Sequence, residues 1–466
     1  MANDPEGRPI TFSIVGGADA ALFTLTADGK LTFKTAPDFE APADANRDNI
    51  YQIQIAASDG AKEAVLALSV QVMNIFESTT AKQIGAYDAP VAIASARGSS
   101  TVFVAEQNGR IYAYDPTGSG TNQLYLTIPG ISFAPAVERG VINIVSAPNY
   151  AQSGTLYVLI ATANELQLRR YGRTTSGVGD LASEEIVMRI AIPAPAPRIN
   201  ASSDPDGPGG ALEFGPDGFL YIGTGTAGYA AFHATSAQDL QSLRGKLLRI
   251  DVSRDDFPGD AARNYAIPAG NPYAGSSTAA PEIMAIGLQH PQSMAFTDLG
   301  LIVGMSTRPN NLPRCCSPKA ILFRPQDTGA NYGYGAAAGA TVISPIIHMA
   351  IGANIGGYMQ IVGAYHGTDP DLADRLLFSD PAYGATFSVP LGRIAQGTTL
   401  TQIESRIPTI EGFRIEGGLA PNPSTIGLGD YRDFAVMDDG SIYMLQREFD
   451  GVEFGPRGFL FYALTQ

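Results

Sequence analysis

Short runs of alternating hydrophobic and polar residues, separated by turn residues, recur along most of the chain. Residues 100–115 read STVFVAEQNGRIYAYD, which is typical of a β-hairpin because Asn-Gly favours the conformation of a tight two-residue turn. Patterns with the 3.6-residue period of a helix are scarce, and the best candidate is SAQDLQSLRG at residues 236–245. The chain is therefore predicted to be all-β.

Beyond residue 78 the strand pattern repeats as six units of roughly sixty residues, each with several short strands. Regular repetition of this kind predicts a six-bladed β-propeller over residues 79–466, whose blades protect one another's edges. The run APVAIASA, residues 89–96, is predicted to complete the last blade and close the ring. The units contain STVFVAEQNGRIYAYD, SGTLYVLIATANELQLRRYG, GALEFGPDGFLYIGTG, SMAFTDLGLIVGMS, ADRLLFSDPAYGATFSVPL and RDFAVMDDGSIYML.

Residues 1–78 form a separate unit of strands, in which an acidic stretch, APDFEAPADANRDN, leads into a strand that ends in Ser-Asp-Gly. This unit resembles a bacterial cadherin-like repeat, an immunoglobulin-like β-sandwich. The resemblance implies Ca²⁺ bound at the end of the repeat, with Asp38, Glu40 and Asp59 as ligands. Hard oxygen ligands suit Ca²⁺, but the same carboxylates also read as solvated turn residues.

The first strand of such a repeat is missing ahead of NDPEG. A sandwich without an edge strand exposes unpaired backbone groups, which a second chain can cover by strand addition. The sequence therefore leaves two alternatives open, namely self-association through this edge or a truncated chain.

Composition narrows the classes of partner. The 466 residues are 45% hydrophobic and 16% charged, with 52 glycines and 32 prolines, which suits a large core with many turns. The net charge of −15 argues against nucleic acid as a partner and is compatible with bound calcium.

The chain carries no predicted targeting or spanning segment. Its apolar runs fall short of the ~18 residues that span a bilayer, and MANDPEGRPI lacks the features of a signal peptide. We nevertheless expect an extracellular or cell-surface protein, from the cadherin-like unit. The two cysteines, Cys315 and Cys316, are adjacent and are either free thiols or a vicinal disulfide.

An ordered series of motifs indicates the family of the second region. ERGVINIVSAPNYAQSGTLYV is followed by GGALEFGPDGFLYIGTG, SAQDLQSLRGKLLRID, PEIMAIGLQHPQSMAF, GANYGYG and YRDFAVMDDGSIYML. In this order they resemble the soluble glucose/sorbosone dehydrogenases, which are six-bladed propellers that oxidise sugars with pyrroloquinoline quinone (PQQ) and Ca²⁺.

The resemblance implies a catalytic site that this sequence alters. In the family, a histidine just before Gly-Gly accepts the proton of the sugar hydroxyl, but here the position is Gly207, preceded by Asp206. The arginine that precedes Asn-Pro-Gln in the family is replaced by Gln289, which is followed by His290. Asp206 and His290 are therefore the candidates for a relocated base.

The resemblance also implies cofactor contacts. Gln289, Asn331 and Arg432 match positions that contact PQQ, and the carbonyls of Arg308 and Pro309 match the calcium loop. The second arginine of the family's last blade is replaced by an aspartate.

A glycine cannot accept a proton, and general-base catalysis contributes roughly 10²- to 10⁴-fold in rate. We therefore predict a calcium-stabilised propeller that binds a carbohydrate or a protein and has lost the dehydrogenase reaction. The alternatives are an active PQQ-dependent sugar or alcohol dehydrogenase that uses Asp206 or His290, and a structural module that self-associates.

Overall fold

The computed structural model divides the chain into two compact units, Met1–Glu77 and Ser78–Gln466. The structure describes residues 8–37, 42–72, 80–117, 120–133, 139–193, 207–227, 230–307, 317–348, 359–364, 374–380, 385–395, 400–401, 414–415, 430–437, 441–449 and 454–464.

The first unit consists of two small antiparallel sheets around an aromatic core. Its strands are β1 (Thr11–Gly16), β2 (Phe23–Leu25), β3 (Leu31–Phe33), β4 (Ile50–Ser58) and β5 (Glu63–Gln71), with a 3-10 turn at Ala20–Leu22. One sheet has the order β1-β4-β5 and the other pairs β2 with β3. The ring centroid of Phe33 lies 4.3 Å from that of Phe23 and 5.0 Å from that of Tyr51. The likeness of this unit to a cadherin-like repeat stays a prediction.

The second unit is built almost entirely from strands. They are β6 (Thr80–Asp88), β7 (Pro90–Ser95), β8 (Val102–Glu106), β9 (Arg110–Tyr114), β10 (Asn122–Thr127), β11 (Gly140–Ser146), β12 (Leu156–Ala161), β13 (Glu165–Arg173), β14 (Gly179–Ala191), β15 (Gly209–Phe214), β16 (Leu220–Thr224), β17 (Lys246–Ile250), β18 (Ile283–Ile286), β19 (His290–Thr297), β20 (Gly300–Thr307), β21 (Ser317–Phe323), β22 (Ala330–Asn331), β23 (Ile347–His348), β24 (Gln360–Ala364), β25 (Arg375–Asp380), β26 (Ala385–Pro390), β27 (Leu400–Thr401), β28 (Arg414–Ile415), β29 (Asp430–Val436), β30 (Ile442–Phe449) and β31 (Phe454–Leu464).

Helices are few and short, which confirms the all-β prediction. They are α1 (Tyr150–Ser153), α2 (Ala230–Gln238), α3 (Leu391–Ala395) and a 3-10 turn at Pro325–Asp327. None of the described helices combines the length and the hydropathy that a membrane span requires.

The described strands of the second unit form six sheets. We label them sheet I (β7-β8-β9-β10), sheet II (β11-β12-β13-β14), sheet III (β15-β16-β17-β18-β22), sheet IV (β19-β20-β21-β23-β27), sheet V (β24-β25-β26) and sheet VI (β29-β30-β31-β6-β28). Neighbouring strands are antiparallel, apart from the short parallel pairs β18-β22, β23-β27 and β28-β6.

Hydrophobic clusters lie between consecutive sheets. Phe103 of sheet I packs with Leu156 of sheet II, and Leu168 of sheet II packs with Ile222 of sheet III. Further clusters join sheets III and IV and sheets IV and V, and one more joins sheet VI back to sheet I. The first strands of the sheets, β7, β11, β15, β19, β24 and β29, contact one another in this order, and β29 contacts β7. The order of contacts is therefore a closed cycle.

Two local predictions are wrong. Residues 90–95 form the first strand of sheet I, and it is β6 that pairs with β31 in sheet VI. Ala89, with φ of 49°, and Pro90 interrupt the chain between β6 and β7, so the two strands enter different sheets. The predicted helix at 236–245 is displaced, because α2 ends at Gln238 and a turn that ends at Gly245, with φ of 71°, leads into β17.

Side chains join the first strands of neighbouring sheets. Each first strand has a β-bulge near its start, and a polar residue follows the bulge in β11, β19 and β29. Asn143 Nδ2 donates to the carbonyl of Gly210, 2.6 Å away in sheet III. Ser293 Oγ accepts from the amide of Ile361 at 2.7 Å in sheet V. These bonds satisfy backbone groups that face the centre of the ring.

Asp433 follows the bulge in β29 and joins three sheets. Its carboxylate accepts the amide of Ile93 in sheet I at 3.0 Å, the side chain of Gln360 in sheet V at 3.0 Å, and the amide of Phe434 in its own strand at 2.9 Å. Burial raises the pKa of Asp433 to about 7, because desolvation outweighs these donors and Glu213 adds a like charge.

Replacing Asp433 by asparagine should change how stability depends on pH. A carboxyl whose pKa is higher in the folded state stabilises the fold most below its unfolded pKa, near 4, and this stabilisation is lost as the pH rises through about 7. The free energy of unfolding of the natural protein should therefore fall by about 1 to 3 kcal/mol more between pH 5 and pH 8 than that of Asp433→Asn. Urea unfolding at both pH values measures the difference.

The exposed Asp298→Asn is the matched control for this comparison and should retain the pH dependence of the natural protein. An Asp433→Asn variant with an unchanged pH dependence would contradict the raised pKa.

Candidate functional site

The altered base position and the candidate base come together where β15 and β19 begin. Gly207 precedes β15 with φ of 43°, and a Cβ placed on it would lie 3.5 Å from Cγ of His290. His290 is the first residue of β19 and is only 4% exposed. The two positions are therefore close enough to belong to one site, and the role of His290 as a relocated base stays a prediction.

Three backbone segments are bonded to one another at this point. The amide of Gly225 donates to Pro208 at 2.7 Å, that of Ala227 to Gly207 at 3.1 Å, and that of Thr226 to Gln289 at 2.9 Å. A Cβ on Gly225 would lie 1.9 Å from the carbonyl oxygen of Gly207, so only glycine fits there. The site is thus built on backbone that approaches too closely for side chains.

Ala227 holds a left-handed conformation, with φ of 48°, and is buried. Non-glycine residues in this region are strained, and such strain persists only where the surrounding structure enforces it. Here the bond from the amide of Ala227 to the carbonyl of Gly207 holds the strained backbone in place.

Two cations beside the site were missed by the sequence analysis. Arg244 Nη1 donates to the carbonyl of Thr226 at 3.2 Å, and burial lowers the pKa of Arg244. Lys246 is fully buried in β17 and donates to the carbonyls of Ser236 at 2.6 Å and Arg244 at 2.7 Å. Burial lowers the pKa of Lys246 to about 7, against the attraction of Asp239. The signal in the sequence was a lysine at the start of the strand GKLLRI, next to the apolar pair Leu247 and Leu248.

Asn331 is engaged in holding α2. Its Nδ2 donates to Gln238 Oε1 at 2.7 Å, and its Oδ1 accepts from Gln238 Nε2 at 3.1 Å and from the amide of Gly333 at 2.9 Å. Gln238 also donates to the carbonyl of Tyr334 at 2.6 Å. The amide that the family resemblance assigns to the cofactor therefore ties the last turn of α2 to the segment after β22.

The described residues do not fit PQQ in the way the resemblance implies. The quinone carries carboxylates, which are bound best by arginine and lysine side chains. The family's arginine is replaced by the half-buried Gln289, Asn331 bonds to Gln238, and Lys246 bonds to two carbonyls.

The other predicted site residues are spread over the chain. Asp59 accepts the amides of Ala61 at 2.8 Å and Lys62 at 2.5 Å and the side chain of Arg8 at 3.1 Å, and the backbone bonds lower its pKa. Arg432 lies on β29, and only its backbone is described. The described residues contain no group of three or more His, Cys, Asp or Glu side chains placed to hold a metal. The remaining candidates lie outside the described residues, namely Asp38, Glu40, Asp206, Arg308, Pro309, Cys315 and Cys316.

The fold is similar to that of solved sugar dehydrogenases. An oxidoreductase (glucose dehydrogenase) from Thermus thermophilus superimposes with a TM-score of 0.57 and 22% identity, covering 83% of this chain and 100% of that one. The PQQ-bound aldose sugar dehydrogenase of Streptomyces coelicolor gives a TM-score of 0.56 and 18% identity, covering 84% and 97%. At these identities the likeness defines the class of fold, an all-β propeller of the sugar-dehydrogenase type.

Comparison of sequences gives more particular relatives. The family model of Glucose / Sorbosone dehydrogenase matches residues 87–305, which confirms the family resemblance over that range. The HIPL2 protein of Arabidopsis thaliana is 34% identical over 146 residues, which are 30% of this chain and 20% of that protein. Human Hedgehog-interacting protein is 29% identical over 217 residues, which are 43% of this chain and 29% of that protein. The chain thus spans less than a third of the length of either relative.

Replacing Gly225 by alanine should destabilise the second unit by about 2 kcal/mol or more, because the new methyl group would overlap the carbonyl oxygen of Gly207. Gly259→Ala is the matched control, since a Cβ there meets nothing within 4 Å. It should change the free energy of unfolding by about 0.5 kcal/mol or less. Denaturant unfolding of both variants measures these effects, and equal stability would contradict the close approach at the site.

Proposed function

We propose that the protein is a secreted or cell-surface propeller that keeps the shape of a sugar dehydrogenase and binds a protein ligand at the site around Gly207 and His290. The observation that carries the proposal is the glycine at the base position. It offers no proton acceptor, and the space beside it is bordered by the buried ring of His290.

In this proposal the six sheets are the six blades of the propeller, and the first unit is a calcium-binding, cadherin-like sandwich. The cyclic order of contacts among the first strands supports the blades. Calcium bound through Asp38, Glu40 and Asp59 belongs to the proposal because carboxylates in one turn-rich unit suit this ion.

The segment after Asn331 supports a protein as the ligand. It passes over α2, where a Cβ on Gly335 would meet the carbonyl of Ala234 at 2.2 Å. Farther along the same segment, Ile343 donates its amide to the carbonyl of Asn331 at 2.8 Å, and both Val342 and Ile343 expose their side chains. Because α2 follows the residue Ala227 that bonds to Gly207, this proposal assigns these exposed apolar side chains to the surface that contacts the protein ligand.

The comparisons support the same class of function. One relative is named for its interaction with Hedgehog, and the aligned part of that protein corresponds to 43% of this chain. We extend to this chain only the class of ligand, a protein, because the aligned region is 29% of that relative's length. A carbohydrate at the same site is the other ligand that the sequence analysis proposed.

An active sugar dehydrogenase is the second candidate. It is favoured by the 3.5 Å between the position of a Cβ on Gly207 and the ring of His290, since a base at His290 would act close to where the family histidine acts. Self-association through a sheet edge is the third, and it is favoured by Val65 and Leu66, which are exposed on the edge strand β5.

Val342→Asp should weaken binding of the protein ligand at least tenfold, because a charge would be desolvated in an apolar contact. Pull-down from the secreted and surface proteins of the source organism, quantified by mass spectrometry, measures this loss. Leu181→Asp is the matched control, because Leu181 is exposed on β14 of sheet II, away from α2 and the segment after Asn331. A ligand lost equally from both variants, or no specific ligand, would contradict binding at this site.

Purified protein with PQQ and Ca²⁺ should not reduce an artificial electron acceptor when aldoses are added, because the described cofactor contacts are engaged elsewhere. Dye reduction measures turnover, and fluorescence titration measures quinone binding. Sugar-dependent turnover that His290→Ala abolishes would establish the second candidate in place of the first.

A further inference from the structure

A cavity of about 500 Å³ occupies the centre of the second unit, and it differs from the site around Gly207. The cavity is lined by residues that follow the starts of the first strands. Strand β15 begins at Gly209 and, with the residues directly after it, contributes residues 212–216, and β19 begins at His290 and contributes residues 293–296. The candidate site lies where these same strands start. We call the space enclosed by the six first strands the central channel. The cavity therefore occupies the end of this channel opposite to the site around Gly207.

An ion pair spans this end of the channel. Arg97 follows β7 in sheet I, and its Nη2 contacts Oε1 of Glu213 on β15 in sheet III, so that the pair passes over sheet II. The amide of Arg97 donates to Ser146 Oγ at 3.2 Å, and Ser146 donates to the carbonyl of Ser95 at 2.7 Å. The backbone beneath the guanidinium is thus fixed to sheet II.

The ion pair faces the cavity while keeping part of its surface accessible. The side chain of Arg97 is 44% exposed and that of Glu213 is 23% exposed. A guanidinium has five N–H donors and a carboxylate about four acceptor positions, so the contact between them, with the further bond from the amide of Phe214 to Glu213, leaves donors and acceptor positions for a ligand. Donors and acceptors therefore lie side by side at the cavity.

The charges of the cavity favour an uncharged ligand. The charged groups that line it are Arg97, Glu213 and Asp433. Burial raises the pKa of both carboxyls. At Glu213 the charge of Arg97 opposes this rise, and at Asp433 the negative charge of Glu213 adds to it. A cation would compete with Arg97 for Glu213, and an anion would meet two carboxyl groups. Hydroxyl groups, in contrast, donate to the carboxylate and accept from the guanidinium at once.

The remaining walls suit a ring with an apolar face. Phe296 and Phe434 line the cavity together with Met294 and Val436. Small-ligand sites typically have volumes of about 300–1,000 Å³ and a few convergent polar groups, and this cavity matches in both respects, with a lining that is more polar than apolar.

We propose that this end of the channel is a second binding site, for a neutral polyhydroxylated ligand of the size of a mono- or disaccharide, whose hydroxyl groups are bound by Arg97 and Glu213. The site is independent of the protein ligand proposed for the opposite end. It requires no cofactor and performs no reaction.

Isothermal titration and saturation-transfer NMR with glucose, galactose, N-acetylglucosamine and maltose test the proposal. At least one of these sugars should bind saturably, and Arg97→Ala and Glu213→Gln should each weaken it about tenfold or more, the effect of losing a charged hydrogen bond. His290→Gln, at the other end of the channel, is the control and should bind the sugar unchanged. Arg97 is largely at the surface, so its variant should fold even if Glu213→Gln does not, and thermal melts check both.

Three results would overturn the proposal. The first is the absence of saturable binding by any of the four sugars. The second is sugar binding that Arg97→Ala leaves intact and His290→Gln removes, which would place the sugar at the site around Gly207. The third is binding of choline at the channel that Glu213→Gln removes while no sugar binds, which would make the site a cation site. None of these results bears on whether a protein ligand binds the other end.

Discussion

Side chains that join the first strands of neighbouring sheets are the interaction on which the second unit depends. Asp433 makes the most of these contacts, because its one carboxyl accepts hydrogen bonds from sheet I, from sheet V and from its own strand. The contacts among the sheets form a cycle, so the loss of any one junction would open it. Such networks are stabilising when every member is satisfied and costly when one is not. This explains why a carboxyl whose pKa is raised by burial is retained at the closing junction.

The first strands of the six sheets also determine the geometry of the candidate site. The starts of β15 and β19 are held by backbone bonds among the segments at Gly207, Gly225 and Gln289, so the geometry of the site is set by the backbone. Asn331 serves the frame as well, by tying α2 to the segment that carries Val342 and Ile343. In the proposal, a protein ligand contacts the exposed side chains of Val342 and Ile343, whereas a small ligand in the cavity contacts the ion pair of Arg97 and Glu213.

Much of this could be predicted from the sequence, because strand alternation and turn residues are local signals. The hairpin at residues 100–115, the division near residue 78 and the order of motifs all come from such signals. The nearness of Gly207 and His290 followed from the family resemblance, and their positions support it. The role of β6 could not be predicted, because its sequence TAKQIGAYD mixes polar and apolar residues, whereas the adjacent β7, PVAIAS, has the apolar character expected of a buried strand. The bonding of Asn331 to Gln238 and the pair of Arg97 with Glu213 join residues distant in sequence, and no local pattern indicates them.

A crystal structure grown with saturating PQQ and Ca²⁺ tests the central claim most directly, the claim that a dehydrogenase frame has been kept without its reaction. The account predicts that the space beside Gly207 and His290 contains no quinone and that the amide of Asn331 stays bonded to Gln238. A quinone bound there, with Asn331 turned from Gln238 towards it and a sugar hydroxyl within hydrogen-bond distance of His290, would contradict the account.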